Sequence, residues 1–282
     1  MSPNERAARQ LAEAFRSEHG LGDAPVADPF ELVHTALGID VISLEAGDSE
    51  HGLSMRDPDT GRVVIAVATT PHPMRQRSSV AHELGHVLAG DLEGNANLGD
   101  DSSAAAGPHR SPQEIRADAF ARHLLLPADA VTARAPRRAG SGSVEESALS
   151  DLCQTFEVSP SLASIQLRDC GLIDSATFER WSRLSAPTLA ARHGWLGQYK
   201  ALAAASQQPR APQSLMRRAV EGYHQGVLGL AELASWYGSD TSELSDELGP
   251  PAALGEDDLD LDADQDEPLF PPGFLTEPEG SA

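Results

Sequence analysis

Five consecutive residues of this chain, His82-Glu83-Leu84-Gly85-His86, bring together the groups best suited to chemistry. Two histidines four positions apart on a helix differ by only ~40° in azimuth, so both imidazoles can approach one ion. Glu83 stands ~100° from His82 on the same wheel, beside such an ion rather than on it, where its carboxylate can take a proton from bound water. That division of labour is the physical content of an H-E-x-x-H motif. Val80, Leu84, Val87 and Leu88 gather on the opposite side and would anchor the helix in a core. A catalytic zinc site also needs a third protein ligand and one position open to water. Glu114 is the candidate, because it opens a second helical pattern whose face otherwise carries Ala117, Asp118, Ala121 and Leu125. Asp118, one turn further on, is placed to accept the free ring N–H of a ligand histidine, which fixes its tautomer and raises its basicity. His123 falls on the far side of this helix and is expected to be exposed. The metzincin continuation is absent, since Ala89 and Leu92 occupy its glycine and histidine places. A bare H-E-x-x-H also arises by chance in helices that make ordinary hydrogen bonds. Glu114 and Asp118 on one consistent face are what favour the metal.

Holding these groups together takes at least two helices and a scaffold. Residues 4–19 place Ala8, Leu11, Ala12 and Phe15 at helical spacing and stop at Gly20. A second helix follows Asp28 as cap, with Pro29 in its first turn and Gly38 at its end. Segments 39–44, 51–56 and 62–68 read as strands, the last two joined by Asp57-Pro58-Asp59-Thr60-Gly61, and predict a small antiparallel sheet. The motif helix follows Pro71 and Pro73 and runs to about Gly90; after a polar loop, the Glu114 helix occupies roughly 112–126 with Ser111 as its cap. Residues 135–143 read as a linker. Beyond it the chain is all helical in pattern: 145–156 and 161–170 around Val158-Ser159-Pro160 have a helix-turn-helix outline, and 213–237 suggest a further helical pair. From Pro250 onward, alternating Asp and Leu followed by Pro and Gly cannot bury enough apolar surface to fold, which predicts disorder.

Composition excludes some functions. At 282 residues, 40% of them hydrophobic, the chain can build one good core. No signal-peptide pattern and no apolar run approaching ~18 residues is found, so a cytoplasmic protein without a membrane partner is expected. Cys153 and Cys170 are too few for a disulfide framework and lack thiolate-zinc spacing, which leaves both a reduced, structural role. A formal net charge of −22 argues against the counterion-driven grip on phosphates that direct DNA binding uses. The acidity is uneven: no Lys or Arg follows Arg218, and Glu256 to Glu267 holds eight carboxylates.

The wider pattern around the motif resembles the ImmA/IrrE metallo-endopeptidases. Gln76-Arg77, then Ala81-His82-Glu83-Leu84-Gly85-His86, then Glu114-Ile115-Arg116-Ala117-Asp118-Ala119-Phe120-Ala121 and Leu124-Leu125-Leu126-Pro127 follow that family's double motif nearly position for position. The likeness spans about residues 25–175 and weakens over 187–248. One departure is Arg77-Ser78-Ser79, where members often carry R-F-T. The resemblance implies a bacterial regulatory protease that cleaves a helix-turn-helix repressor of the XRE type, relieving repression, often encoded beside it on a mobile element or in a stress-response system.

The sequence thus predicts an α+β, zincin-like peptidase domain over 1–134 with a small antiparallel sheet, a helix-turn-helix-like module over 144–175, a helical region over 176–249 and a disordered acidic tail over 250–282. Zn2+ would sit on His82, His86 and Glu114, gluzincin fashion, with Glu83 as base and Asp118 behind a ligand ring. His72, His109 and Tyr199 stand open as groups that stabilise the oxyanion. Two rival readings are a zinc-stabilised protein that binds a repressor without cutting it, and a transcription factor reading DNA through Gln166 and Arg168.

Overall fold

The computed structural model describes residues 2–46, 52–92, 111–135 and 144–251. The loop that carries His109, the linker at 136–143 and the acidic tail from 252 lie outside the described residues.

Helix α1 (Pro3–Glu18) starts on Ser2, whose Oγ accepts from the Glu5 N–H, and α2 (Pro29–Leu37) starts on Asp28 and stops at Gly38 with φ of 65°. Both ends of α2 follow from residue type: an acceptor side chain for orphan N–H groups, and a residue without Cβ where the left-handed turn is made. Strands β1 (Asp40–Leu44), β2 (Gly52–Arg56) and β3 (Val63–Ala68) form one sheet in the order β1-β3-β2.

This sheet is mixed rather than antiparallel. β2 and β3 pair antiparallel, because the turn between them is short and is closed by the Asp57 carboxylate accepting from the Asp59 and Thr60 N–H groups. β1 takes the other side of β3 and runs parallel to it, Val41 opposite Ile65. β3 therefore lies between β1 and β2. The outer edge of β1 is covered, since Ser43 and Arg210 exchange backbone hydrogen bonds of 3.1 and 3.0 Å. β2 has no such partner on its outer edge among the described residues.

Helix α3 (Pro73–Ala89) crosses the sheet, and α4 (Pro112–Leu125) packs between α1 and α3. α5 (Ala128–Arg134), α6 (Glu146–Phe156), α7 (Pro160–Asp169), α8 (Ser175–Trp181), α9 (Ala186–Arg192) and α10 (Leu196–Ser206) follow. One hydrophobic cluster runs from Ala8 of α1 through Ile65, Leu84 and Phe120 to Leu149, Leu167, Leu189 and Tyr199. Burial of these large side chains is the main driving force holding the layers, at roughly 1.5–3 kcal/mol each. Polar pins fix their directions. Arg122 of α4 pairs with Glu5 of α1 and Asp169 of α7, and Arg77 of α3 donates to the carbonyls of Val26 and Ala27 while pairing with Glu157 at 3.0 Å.

The chain divides into two compact units, Met1–Leu215 and Met216–Ala282. The second contains most of α11 (Gln213–His224) together with α12 (Leu230–Tyr237) and α13 (Thr241–Leu248), around its own small core of Ala219, Tyr223, Leu233, Ala234 and Leu244. Among the described residues no helix is long and apolar enough to cross a membrane.

Candidate metal centre

The site is built where α3 and α4 come close, and the closeness has a sequence cause. A Cβ on Gly85 would lie 3.1 Å from the Phe120 ring and 3.2 Å from the Ala117 Cα, so the glycine of the motif makes room for the facing helix. Glu114 sits at the third position of α4, where Ser111 Oγ accepts its N–H at 3.2 Å. There the unpaired N–H groups of the first turn favour a negative side chain.

The carboxylate of Glu114 meets both motif histidines. Its Oε2 lies 3.3 Å from His82 Nε2 and its Oε1 lies 3.2 Å from His86 Nε2, while the two Nε2 atoms are 3.0 Å apart. These three side chains each offer one ligand atom to a common point.

The far nitrogens of the rings are also occupied. His82 Nδ1 lies 2.9 Å from Asp118 Oδ1, and His86 Nδ1 lies 2.9 Å from Asp91 Oδ2. Asp91 owes its place to the end of α3. Gly90 turns left-handed at φ of 74°, the Asp91 N–H then closes on the His86 carbonyl at 3.0 Å, and the Asp91 side chain is folded back under the histidine it follows. Arg116 of α4 holds the other oxygen of Asp91.

This arrangement fixes the tautomers. An ionised carboxylate can only accept, so each Nδ1 carries a proton and each neutral ring turns the Nε2 lone pair towards Glu114. Two nitrogen lone pairs and a carboxylate converging within 3.3 Å repel one another unless a cation lies among them. The donors fit a divalent metal of nitrogen and oxygen preference. Without one, the cluster gathers protons. Burial opposes a charged His82, but hydrogen bonds to Asp118 and Glu114 outweigh it and push its pKa up to about 10. Burial likewise opposes a charged His86, and Glu114 and Asp91 outweigh it and raise its pKa. Glu114 is held well below the usual carboxylate range by its hydrogen bonds to His82 and His86.

The convergence of three ligand atoms from an H-E-x-x-H helix and a following acidic helix agrees with a family comparison. Residues 35–168 match the family model Peptidase_M78, described as the IrrE N-terminal-like domain. This segment is similar to the IrrE N-terminal-like domain. It runs from the last turn of α2 to the end of α7 and contains every residue of the cluster. A comparison with curated proteins found no match to the chain.

Glu83 of this IrrE-like domain is 8% exposed, and its Oε2 accepts from Ser54 Oγ of β2 at 2.8 Å. His72 caps the start of α3, ten residues from His82 and so ~15 Å away along the axis. Tyr199 is buried with its ring edge towards Trp195, the centroids 6.4 Å apart. His109 lies outside the described residues.

One expectation is corrected. His123 is buried, only 6% exposed, because α1 and α7 cover the side of α4 that faces away from α3. The Gln166 side-chain amide lies 3.3 Å from His123 Nδ1 and donates to the Leu126 carbonyl at 2.6 Å, and burial first, then nearby Arg122, lowers the His123 pKa to about 4. The cysteines are both free thiols, Cys153 buried and Cys170 only half so.

Sequence reasoning overlooked Asp91, Arg116 and Ser54. The Gly90-Asp91 pair directly after the motif helix was a usable signal for Asp91, since a left-handed glycine reverses the chain onto the last turn. Ser54 offered none, because only the order of strands in the sheet brings it to α3.

Proposed function

We propose that the IrrE-like domain is a zinc-dependent endopeptidase, with His82, His86 and Glu114 as metal ligands, Glu83 as base, and Asp118 and Asp91 orienting the ligand rings. The observation that carries this reading is the inward aim of both Nε2 lone pairs, each imposed by a carboxylate on the other side of its ring. Zinc suits a His-His-Glu set, and when bound it would supply the Lewis acid that acidifies a water and polarises a peptide carbonyl. Glu83 takes the proton of the attacking water and delivers it to the departing amine, one carboxylate serving both transfers. Asp118 and Asp91 hold the imidazoles in one tautomer and stabilise positive charge drawn into them.

The substrate of this reading is a helix-turn-helix repressor in the cytoplasm, cut to relieve repression. The helix pair α6–α7 has the outline of a DNA reader, but its two strongest candidate readers, Gln166 and Arg168, are engaged within the fold. Gln166 is 1% exposed, and Arg168 stacks on Phe178 at 4.2 Å beside Asp169. That engagement favours a structural or substrate-docking role for the pair over base readout.

The test uses Glu83→Gln. Incubated with the helix-turn-helix protein encoded beside this chain, the zinc-loaded wild type should release fragments visible by mass spectrometry. Glu83→Gln should hold equal zinc and release none. Cleavage by the variant would remove Glu83 from the mechanism, and relief of repression by a variant that cannot cut would support binding without cleavage.

A further inference from the structure

The peptidase reading gives no role to β2, yet β2 makes the closest approach to Glu83. Along a strand alternate side chains share a face. Gly52 and Ser54 therefore lie on the face that also carries their β3 partners Val67 and Ile65, both buried, and this face meets α3. Ser54 Oγ donates to Glu83 Oε2 at 2.8 Å, and no other hydrogen bond to that carboxylate forms among the described residues. Two residues earlier, a Cβ on Gly52 would stand 2.8 Å from Glu83 Oε1 and 3.1 Å from its Cγ. The strand thus touches both oxygens of one carboxylate: it binds Oε2 and leaves room for Oε1.

We infer that Ser54 is a positioning residue for Glu83 and that Gly52 provides the space in which its free oxygen sits. This rests on the reading of Glu83 as the base. A glutamate at the motif's second position has three rotatable bonds, and a base is effective only when its acceptor oxygen is within hydrogen-bond reach of the proton it removes. Tying Oε2 to the strand leaves Oε1 as the oxygen without a hydrogen bond among the described residues, and so the freer of the two to accept. The register of the β2–β3 pair, rather than α3 alone, then sets where the base points. A side chain at residue 52 would take the place of Oε1, so the Glu83 carboxylate would have to shift away from the position the strand gives it.

Acetohydroxamate binding to the zinc-loaded protein tests this without turnover, because the hydroxamate proton needs a carboxylate acceptor beside the metal. Glu83→Ala should weaken binding, and Ser54→Ala should weaken it by about tenfold or more, the scale of losing one hydrogen bond to a charged group. Zinc content should be unchanged in both. Ser54→Thr, which keeps the hydroxyl on a residue suited to a strand, should recover most of the affinity. In the Glu83→Ala background, Ser54→Ala should have no further effect, as a double-mutant cycle requires of two residues acting as one. With a cleaved substrate in hand, Ser54→Ala should lower kcat and leave KM within about twofold. Gly52→Ala should lose more than Ser54→Ala. Equal hydroxamate binding by wild type and Glu83→Ala would overturn the reading of Glu83 itself. Dependence on Glu83 with full affinity in Ser54→Ala, or a Ser54→Ala loss that persists in the Glu83→Ala background, would overturn the role given to Ser54 alone.

Discussion

Asp91 and Asp118 decide which way two imidazoles face, and that makes them as testable as the ligands. Replacing either by Ala frees a ring to flip or change tautomer, so zinc affinity should fall by about 10 to 100-fold in each variant. Competition with a chromophoric chelator measures this; unchanged affinity in both variants would mean that the rings are fixed by something else. His123 supports a different prediction. Its folded pKa is lowered to about 4 from an ordinary 6.5, by burial and then by Arg122 and Arg9, partly offset by Glu5 and Glu13. The unfolded chain therefore binds a proton first. The stabilisation is complete above pH ~6.5 and is lost progressively as the pH falls towards ~4. The drop in Tm between pH 7 and pH 4.5 should be smaller in His123→Gln than in wild type, and an identical drop would show that His123 is not buried neutral.

At the scale of elements, the meeting of α3 and α4 sets the distance between Glu114 and the histidines. Gly85→Ala isolates it. Alanine gains about 0.5–1 kcal/mol of helix propensity over glycine, but its Cβ would press on Ala117 and Phe120 at 3.1–3.2 Å. The expected outcome is a Tm shifted by only a few degrees and zinc affinity lowered about tenfold, as α4 is pushed outward and Glu114 with it. Full affinity would mean that the helices have slack at this crossing. Much of this level was legible in the sequence. Asp28, Gly38, Ser111 and Gly90 mark element ends by local chemistry that needs no tertiary information, and the spacing of His82, His86, Glu114 and Asp118 named the residues that the fold brings together. What was illegible depends on neighbours distant in sequence. β3 inserts between β1 and β2, so the sheet is mixed, and the side of α4 that looked free for His123 is covered by α1 and α7. Neither fact is encoded in the periodicity of the element concerned.

For the molecule as a whole, the two units predict separable roles. The metal cluster and the strand that meets Glu83 lie in Met1–Leu215, and the large hydrophobic core is contained there. A chain ending at Leu215 should therefore keep its zinc and its cooperative unfolding, as read by metal analysis and circular dichroism. Among the described residues, the helices from Met216 enclose only five buried residues, and a core that small is too little to fold firmly alone. Loss of zinc from the shortened chain would show that the second unit is required for the site. The central claim is nonetheless that three ligand atoms hold one metal, and zinc content by inductively coupled plasma mass spectrometry addresses it most directly. The account predicts one zinc per chain in the wild type and in His123→Gln, and a small fraction of that in His86→Ala, since two remaining protein ligands cannot hold the ion. Equal zinc in wild type and His86→Ala would contradict it.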